Sequence, residues 1–187
     1  MESSITAVLP LILEEVRGVV EKVKQEEFDR LASIIMDAER VFVCGAGRVG
    51  ISSRALAMRL VHLGKQTHWV NDDTTPGIGE GDLLIANSGS GSSASTCNVV
   101  SQAKKARAWI ATITANPEGK IALLSDVVVV LPAQTYKANR ETWNSVLPMG
   151  SQFELCLWVL QDILSLTLME KMRVSAAEMG TRHRNLE

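Results

Sequence analysis

The sequence lacks the concentrated positive charge that nucleic-acid or membrane-surface binding requires. Its 19 lysines and arginines are scattered along 187 residues and are outnumbered by 21 acidic residues, so that the formal net charge is −2. Proteins that bind polyanionic surfaces do so through a clustered basic field. We therefore expect neither a nucleic-acid nor a membrane partner, and we expect any functional basic side chain to act locally on a small anion.

Cysteines are few and widely spaced. Cys44, Cys97 and Cys156 form no CxxC pair and no Cys/His spacing of the kind that metal sites use. The sequence therefore predicts neither a metal site nor a disulfide framework. Free thiols are typical of a reducing compartment, which favours a cytoplasmic location.

Long hydrophobic runs are missing as well. The most apolar stretch, residues 155–168, is interrupted by Gln161 and Asp162, whereas a membrane span needs about 20 predominantly apolar residues. The first residues show no basic segment followed by an apolar one, so no signal peptide is expected. We predict a soluble protein in which this stretch is a buried helix.

Short apolar runs alternate with helical patterns after two amphipathic N-terminal helices, at residues 5–23 and 28–38. The strand-like runs are residues 41–44, 67–70, 83–86, 109–113 and 127–131, and the helical patterns are residues 51–63, 95–107, 117–124 and 153–172. Apolar strands separated by helices are typical of a parallel sheet that is covered on both faces. We predict an α/β fold, a doubly wound three-layer α/β/α sandwich around a five-stranded parallel sheet.

The chain is expected to form a single domain over residues 1–187. It would comprise N-terminal helices (1–39), a parallel α/β core (40–131), and a C-terminal loop with helices (132–187). Asn116 is predicted to cap the helix that follows it. Ser175 and Glu178 have the spacing of a capping box, which indicates another helix near the C-terminus.

A glycine-rich loop, GAGRVG at residues 45–50, lies between the first predicted strand and the helix after it. Glycines at this point let backbone N–H groups approach an anion at the start of a helix. The loop also matches the dinucleotide fingerprint GxGxxG, with Asp72 or Asp73 as a possible ribose-binding acid. A tight turn without a ligand explains the same residues, so this loop alone leaves three interpretations open.

A second loop is more informative. Residues 87–96, NSGSGSSAST, alternate hydroxyl side chains with glycines between the third predicted strand and a helix. Serine hydroxyls and backbone N–H groups at a helix start suit a terminal phosphate. The alternative is a flexible surface loop rich in turn-forming residues. We interpret the segment as a phosphate-binding loop.

A third segment, LPMGSQFE at residues 147–154, leads into the longest predicted helix. Ser151 and Glu154 have the S-x-x-E spacing of a capping box, so Glu154 can be explained as a residue that only stabilises the helix start. A general base is the alternative role, but a helix N-terminus favours the charged form of a carboxylate, which does not suit a strong base. The residues alone favour the capping interpretation.

These motifs together resemble the sugar isomerase (SIS) domain family, and within it the hexuloisomerase branch. The resemblance covers nearly the whole chain and is carried by SGSG at residues 88–91, MRLVHLG at 58–64, LPMG at 147–150 and RHRNL at 182–186. It implies a three-layer α/β/α fold, a homotetramer, and an enzyme without metal or cofactor. It also implies a reaction, the interconversion of D-arabino-3-hexulose 6-phosphate and fructose 6-phosphate.

The resemblance also implies roles for individual residues. Glu154 would be the catalytic base, and His183 would act in the active site of a neighbouring subunit. The residues expected to bind the phosphorylated sugar are Gly47, Arg48, Ser88, Ser90 and Ser93. Taken without the resemblance, His183 is better explained as a surface histidine near a fraying terminus, and His62 and His68 are expected to be structural.

The sequence departs from the family pattern at Val49, at residues 71–73 and at Ser92. These differences leave the identity of the sugar open, so an isomerase of another phosphorylated sugar is an alternative. A non-catalytic sugar-phosphate-binding SIS module is a second alternative. An oxidoreductase is disfavoured because no second domain is available to hold its substrate.

Overall fold

The computed structural model describes residues 4–137 and 144–186, which fold into a parallel sheet with helices on both faces. The helices are α1 Ile5–Val20, α2 Gln25–Asp37, α3 Gly47–His62, α4 Ala94–Lys105, α5 Lys120–Leu124, α6 Ser151–Met172 and α7 Ala176–Thr181. The strands are β1 Val41–Cys44, β2 Thr67–Trp69, β3 Leu83–Ala86, β4 Trp109–Thr114 and β5 Val127–Val130.

The sheet has five strands in the order β2-β1-β3-β4-β5, and neighbouring strands are parallel throughout. The central strands are apolar because both of their faces are buried: all four residues of β1 and of β3 are at most 3% exposed. Burying each large apolar side chain stabilises the fold by about 1.5–3 kcal/mol. The predicted fold class is confirmed.

Alternate side chains of β1 face two separate cores. Val41 and Val43 pack in the larger core, to which α1, α2, α3 and α6 contribute. Phe42 and Cys44 pack in the smaller core with α4 and α5. Since α3 follows β1 on one face and α4 follows β3 on the other, the chain changes winding direction between these two neighbouring strands.

Helix α6 is the central helix of the larger core. It is 22 residues long and apolar enough to cross a membrane by length and composition, but half of its most apolar window is buried inside the fold. It packs against α1, α2 and α3. Its apolar character is therefore explained by burial within the protein, as the interruption at Gln161 and Asp162 predicted.

Two predicted helix starts are wrong. Helix α3 begins at Gly47 rather than near Ile51, so the second half of the glycine-rich loop is the first turn of the helix. Helix α5 begins at Lys120 with Gly119 as its N-cap. Asn116 does not cap this helix; its Oδ1 accepts a hydrogen bond from the backbone N of Glu118 at 3.2 Å and forms a preceding turn.

The three cysteines have the buried surroundings of structural residues. Cys44, Cys97 and Cys156 are all buried and free. Burial raises the pKa of Cys44 to about 12, and burial followed by the charge of Glu15 raises the pKa of Cys156 to about 11. Neither thiol carries the thiolate that nucleophilic or metal-binding chemistry requires.

Candidate active site

The loops after β1 and β3 meet at the carboxyl edge of the sheet, where the winding direction changes. In open parallel sheets this is the position at which ligands bind. A cleft of about 580 Å³ opens there. It is lined by residues 46–49, 87–90, 93, 135–137, 148–151, 153 and 154.

The serine-rich loop forms one wall of the cleft. Ser88, Ser90 and Ser93 all line it, and Ser93 is the backbone N-cap of α4. The Ser93 side chain makes no capping hydrogen bond to the helix, so a ligand can use the N–H groups of the first turn. The hydroxyls that line the cleft are therefore adjacent to the start of α4, which is an arrangement suited to a phosphate group.

A buried asparagine holds the two loops together. Asn87 is fully buried, its Nδ2 donates to Ser53 Oγ at 3.0 Å, and its Oδ1 accepts from the backbone N of Ile113 at 3.1 Å. Ser53 Oγ in turn donates to the backbone O of Val49 at 2.8 Å. The end of β3 is thus tied to β4 and to the first turn of α3. This role of Asn87 was not predicted from the sequence.

Close packing explains the glycine pattern after β1. A Cβ atom on Gly50 would lie 2.6 Å from the backbone O of Gly45, so α3 can approach the end of β1 only with glycine at that position. Gly47 has a φ of +58° and lines the cleft. Steric fit at the strand–helix turn therefore accounts for the GxGxxG spacing without a dinucleotide.

The capping-box interpretation of Glu154 is wrong. The N-cap of α6 is Gly150, with a φ of 82°, and no side chain caps the helix there. Ser151 is already the first helical residue, so the S-x-x-E spacing is displaced by one position. Glu154 instead lines the cleft.

The Glu154 carboxylate forms an ion pair with Arg48, whose Nε donates to Glu154 Oε2. The Glu154 side chain is 18% exposed, whereas that of Arg48 is 70% exposed. The pair joins the first turn of α3 to the first turn of α6. Arg48 and Glu154, which the sequence analysis singled out separately, therefore meet in the cleft. The Arg48 side chain remains largely exposed to solvent.

His183 lies far from this cleft in its own chain. Its ring stacks on that of His62, with ring centroids 5.2 Å apart, and Arg182 Nη1 donates to the His62 backbone O at 3.1 Å. Arg48 lies in the first turn of α3 and His62 is its last residue. At about 1.5 Å per residue, the helix separates them by about 20 Å.

His62 and His68 have the surroundings expected of structural residues, since His62 is buried and His68 is half-buried. His62 is 5% exposed, and burial, followed by the charges of Arg59 and His183, lowers its pKa. The ring of His68 packs on Phe42 with centroids 5.2 Å apart. Both residues lie outside the lining of the cleft.

Part of the cleft wall was not predicted. Thr135, Tyr136 and Lys137 line it. They belong to the long connection before α6, in which no periodic pattern indicates what a side chain faces. Met149 has a φ of 54° and Gly150 a φ of 82°, so two consecutive left-handed residues turn the chain into α6.

The departures from the family pattern fall mostly outside the site. Val49 lines the cleft, but Ser92 and residues 71–73 do not. Ser92 is exposed and its Oγ donates to Ser90 Oγ at 3.2 Å. Asp72 accepts hydrogen bonds from the backbone N and the Oγ1 of Thr74, which lower its pKa. Val49 is therefore the departure that can affect the sugar directly.

Within residues 4–137 and 144–186, no group of three or more His, Cys, Asp or Glu side chains is placed to hold a metal ion. The ionisable side chains of the cleft are Arg48, Glu154, Lys137 and Tyr136. With this geometry, the arrangement can bind an anion at one wall and offer a carboxylate and a guanidinium at the other.

Residues 34–157 match the model of the SIS domain. The chain belongs to the SIS domain family. A 3-hexulose-6-phosphate isomerase of Mycobacterium gastri is 42% identical to this SIS-domain protein over 98% of the chain and 92% of the relative. A 3-hexulose-6-phosphate isomerase of Bacillus subtilis is 36% identical over 94% and 95% of the two chains.

A solved structure supports the same relationship. The crystal structure of a Methanococcus jannaschii protein, from which a function as 3-hexulose-6-phosphate isomerase was inferred, superposes on this chain with a TM-score of 0.82 at 28% identity. The match covers 97% of this SIS-domain protein and 99% of that chain. The family resemblance inferred from the motifs is confirmed.

Proposed function

We propose that this SIS-domain protein interconverts D-arabino-3-hexulose 6-phosphate and fructose 6-phosphate. The observation that carries the proposal is the Arg48–Glu154 pair, which lines the same cleft as the serine-rich loop. The two relatives at 36% and 42% identity, both named 3-hexulose-6-phosphate isomerase, bear out the isomerase class expected from the motifs.

The phosphate group would bind at the serine-rich loop. Ser88, Ser90 and Ser93 would donate hydroxyl hydrogen bonds, and the first turn of α4 would add N–H groups and the positive end of its dipole. Gly47, which has open space around its Cα, would let the sugar approach the start of α3. Phosphate binding would then hold the carbon chain between this wall and Glu154.

The reaction moves a carbonyl group from C3 to C2. Glu154 would remove the proton from C2 to give an enediolate and return a proton to C3, because one carboxylate placed over both carbons can serve both steps. Arg48 would turn from Glu154 to the substrate and stabilise the oxyanion that develops. The hydroxyl proton on O2 must also pass to O3, and with that transfer the substrate is rearranged without net oxidation or reduction, so the step uses no cofactor.

We further propose that His183 completes the site from a neighbouring subunit of a cytoplasmic homotetramer. The separation of about 20 Å along α3 supports this proposal, since it places His183 beyond reach of Glu154 in the same chain. An imidazole could move a proton between the two oxygens near neutral pH. An isomerase confined to one subunit would have to act without it.

A coupled assay tests the proposed function. Ribulose 5-phosphate, formaldehyde and a hexulose-phosphate synthase generate the substrate, and fructose 6-phosphate is followed through phosphoglucose isomerase and glucose-6-phosphate dehydrogenase as NADPH. We expect NADPH formation that depends on the protein. A rate equal to that of the reaction without it would overturn the proposed substrate, and phosphorylated aldoses and ketoses would then be compared as alternatives.

A further inference from the structure

A carboxylate behind the cleft binds three hydrogen-bond donors from the segment that builds the cleft wall. Glu15, in α1, accepts from Ser145 Oγ at 2.5 Å, from the backbone N of Val146 at 2.7 Å and from Gln152 Nε2 at 3.0 Å. A carboxylate suits this position because it accepts only, whereas an amide would present an NH₂ group to these donors.

Glu15 is part of a closed ring of hydrogen bonds. Gln152 Oε1 accepts from the backbone N of Gln134 at 2.7 Å, and Gln134 Oε1 accepts from the backbone N of Ser145 at 3.2 Å. Ser145 Oγ returns the ring to Glu15. The ring therefore ties α1 and the first turn of α6 to both described ends of the long connection between β5 and α6.

The members of this ring stand next to residues that line the cleft. Gln134 directly precedes Thr135, and Gln152 lies two residues before Glu154. Thr135 also packs against the serine-rich loop, since a Cβ atom on Gly89 would lie 2.8 Å from Thr135 Cγ2. Displacing the ring would thus move both the unpredicted wall and the start of the helix that carries Glu154.

We propose that Glu15 is a positioning residue of the active site, whose carboxylate fixes the cleft wall of residues 135–137 and 148–150 and thereby the geometry at Glu154. The inference rests on the proposed function. Glu15 touches no reacting atom; it acts through Gln152, Ser145 and Val146. The serine-rich loop has a further support that does not involve Glu15, because Asn87 ties it to Ser53 and to β4, so the phosphate subsite should be less affected than the geometry at Glu154.

The neighbouring residue supplies a matched control. Glu14 is exposed on the same helix, and Glu14→Gln makes the same change of charge without touching the ring. We expect Glu15→Gln to lower kcat/KM by about 10- to 100-fold, since small displacements of a catalytic group have effects of this size. Competitive inhibition by inorganic phosphate should stay within about twofold of the wild type, and Glu14→Gln should match the wild type in both measurements.

Hydrogen exchange gives a readout that is independent of turnover. The Val146 amide, which donates to Glu15, should exchange faster in Glu15→Gln than in Glu14→Gln, because its acceptor is weakened. If Glu15→Gln does not fold, Ser145→Ala replaces it, and we expect it to lower kcat/KM by about three- to tenfold with inhibition by inorganic phosphate unchanged.

Wild-type kinetics in a folded Glu15→Gln variant would overturn the inference. It would also be overturned if inhibition by inorganic phosphate fell in proportion to activity, because that result indicates a general disruption of the cleft. If the wild type is an active isomerase and Glu15→Gln has the same kcat/KM, the inference is wrong but the proposed function stands. A wild type without isomerase activity overturns the proposed function and the inference together.

Discussion

Glu154 and Arg48 come from helices that are far apart in the sequence, and their contact depends on where each helix begins. Gly150, in a left-handed conformation, starts α6 one residue earlier than the capping-box spacing implies. Glu154 is consequently not used to close the helix end, and its carboxylate is available at the cleft. An acid that only stabilised a helix would have no reason to pair with Arg48 in the lining of a 580 Å³ cleft.

Replacing the Glu154 carboxylate tests whether this residue is the base. Glu154→Gln should reduce kcat by about 10²–10⁴-fold, the range typical of a lost general base, while the substrate still binds. The amide keeps the size of the side chain and can still accept from Arg48. Glu170→Gln, an exposed position on the same helix, is the control and should keep full activity. Steady-state kinetics and thermal melting distinguish a loss of the base from a loss of folding. An active Glu154→Gln enzyme would exclude this residue as the base.

Removing two serine hydroxyls tests the phosphate subsite. Ser88→Ala combined with Ser90→Ala should raise KM at least about 100-fold, since each hydrogen bond to a charged group contributes about 1.5–3 kcal/mol and about 1.4 kcal/mol corresponds to a factor of ten. Inorganic phosphate should compete with the substrate in the wild type and lose this effect in the double variant. Ser33→Ala, at an exposed position of α2 outside the cleft lining, is the control. An unchanged KM together with unchanged phosphate inhibition would place the phosphate elsewhere.

At the scale of elements, the strands were the most predictable parts. The run at residues 83–86 is predicted and observed with the same ends, because a central strand buried on both faces must be apolar throughout. Helix starts were less predictable. Glycine is a poor helix former, so the pattern placed the start of α3 at Ile51. Glycine is nevertheless required there, at Gly50 by the close approach to Gly45 and at Gly47 by a positive φ.

The connection before α6 could not be predicted for a different physical reason. Its conformation is set by contacts between residues distant in sequence, such as Glu15 with Val146, and by left-handed residues at its end. No local period records such contacts. The sequence therefore predicts the serine-rich wall of the cleft, which follows a strand, but not the wall formed by Thr135, Tyr136 and Lys137.

Gly89 tests how tightly these two walls are packed. A Cβ atom there would lie 2.8 Å from Thr135 Cγ2 and 3.1 Å from Phe153 Cδ1. We expect Gly89→Ala to lower the free energy of unfolding by about 1–3 kcal/mol, as overpacking typically does, and to weaken phosphate inhibition because the serine-rich loop must shift. Gly77→Ala, where no atom lies within 4 Å of the added Cβ, is the matched control. Equal melting temperatures and equal phosphate inhibition in the two variants would contradict this packing.

At the scale of the whole molecule, the C-terminal segment is held against its own chain at the end of α3 away from the cleft. Helix α7 has a complete capping box: Ser175 Oγ accepts from the backbone N of Glu178, and the Glu178 carboxylate accepts from the backbone N of Ser175. With Arg182 bound to His62 and His183 stacked on it, the segment has a defined position rather than a frayed one. Such a segment can present His183 to a second copy of the chain.

The last prediction tests whether the site is shared between subunits. His183→Ala alone and Glu154→Gln alone should each be nearly inactive. When the two variants are mixed, dissociated and reassembled, some sites combine an intact Glu154 with an intact His183 from the other chain. Random exchange between equal amounts should restore about a quarter of the wild-type activity, because each of the two residues is intact in half of the subunits.

The control replaces His183→Ala by the double variant His183→Ala/Glu154→Gln, which supplies no intact Glu154 and should give no rescue on mixing with Glu154→Gln. Subunit exchange is verified by native mass spectrometry of differently tagged chains. If His183 served its own subunit, every site in the mixture would keep one defect and activity would stay at the level of the single variants. Confirmed exchange without rescue would therefore remove His183 from the neighbouring site, whereas recovery near a quarter requires that the two residues act together across the subunit boundary.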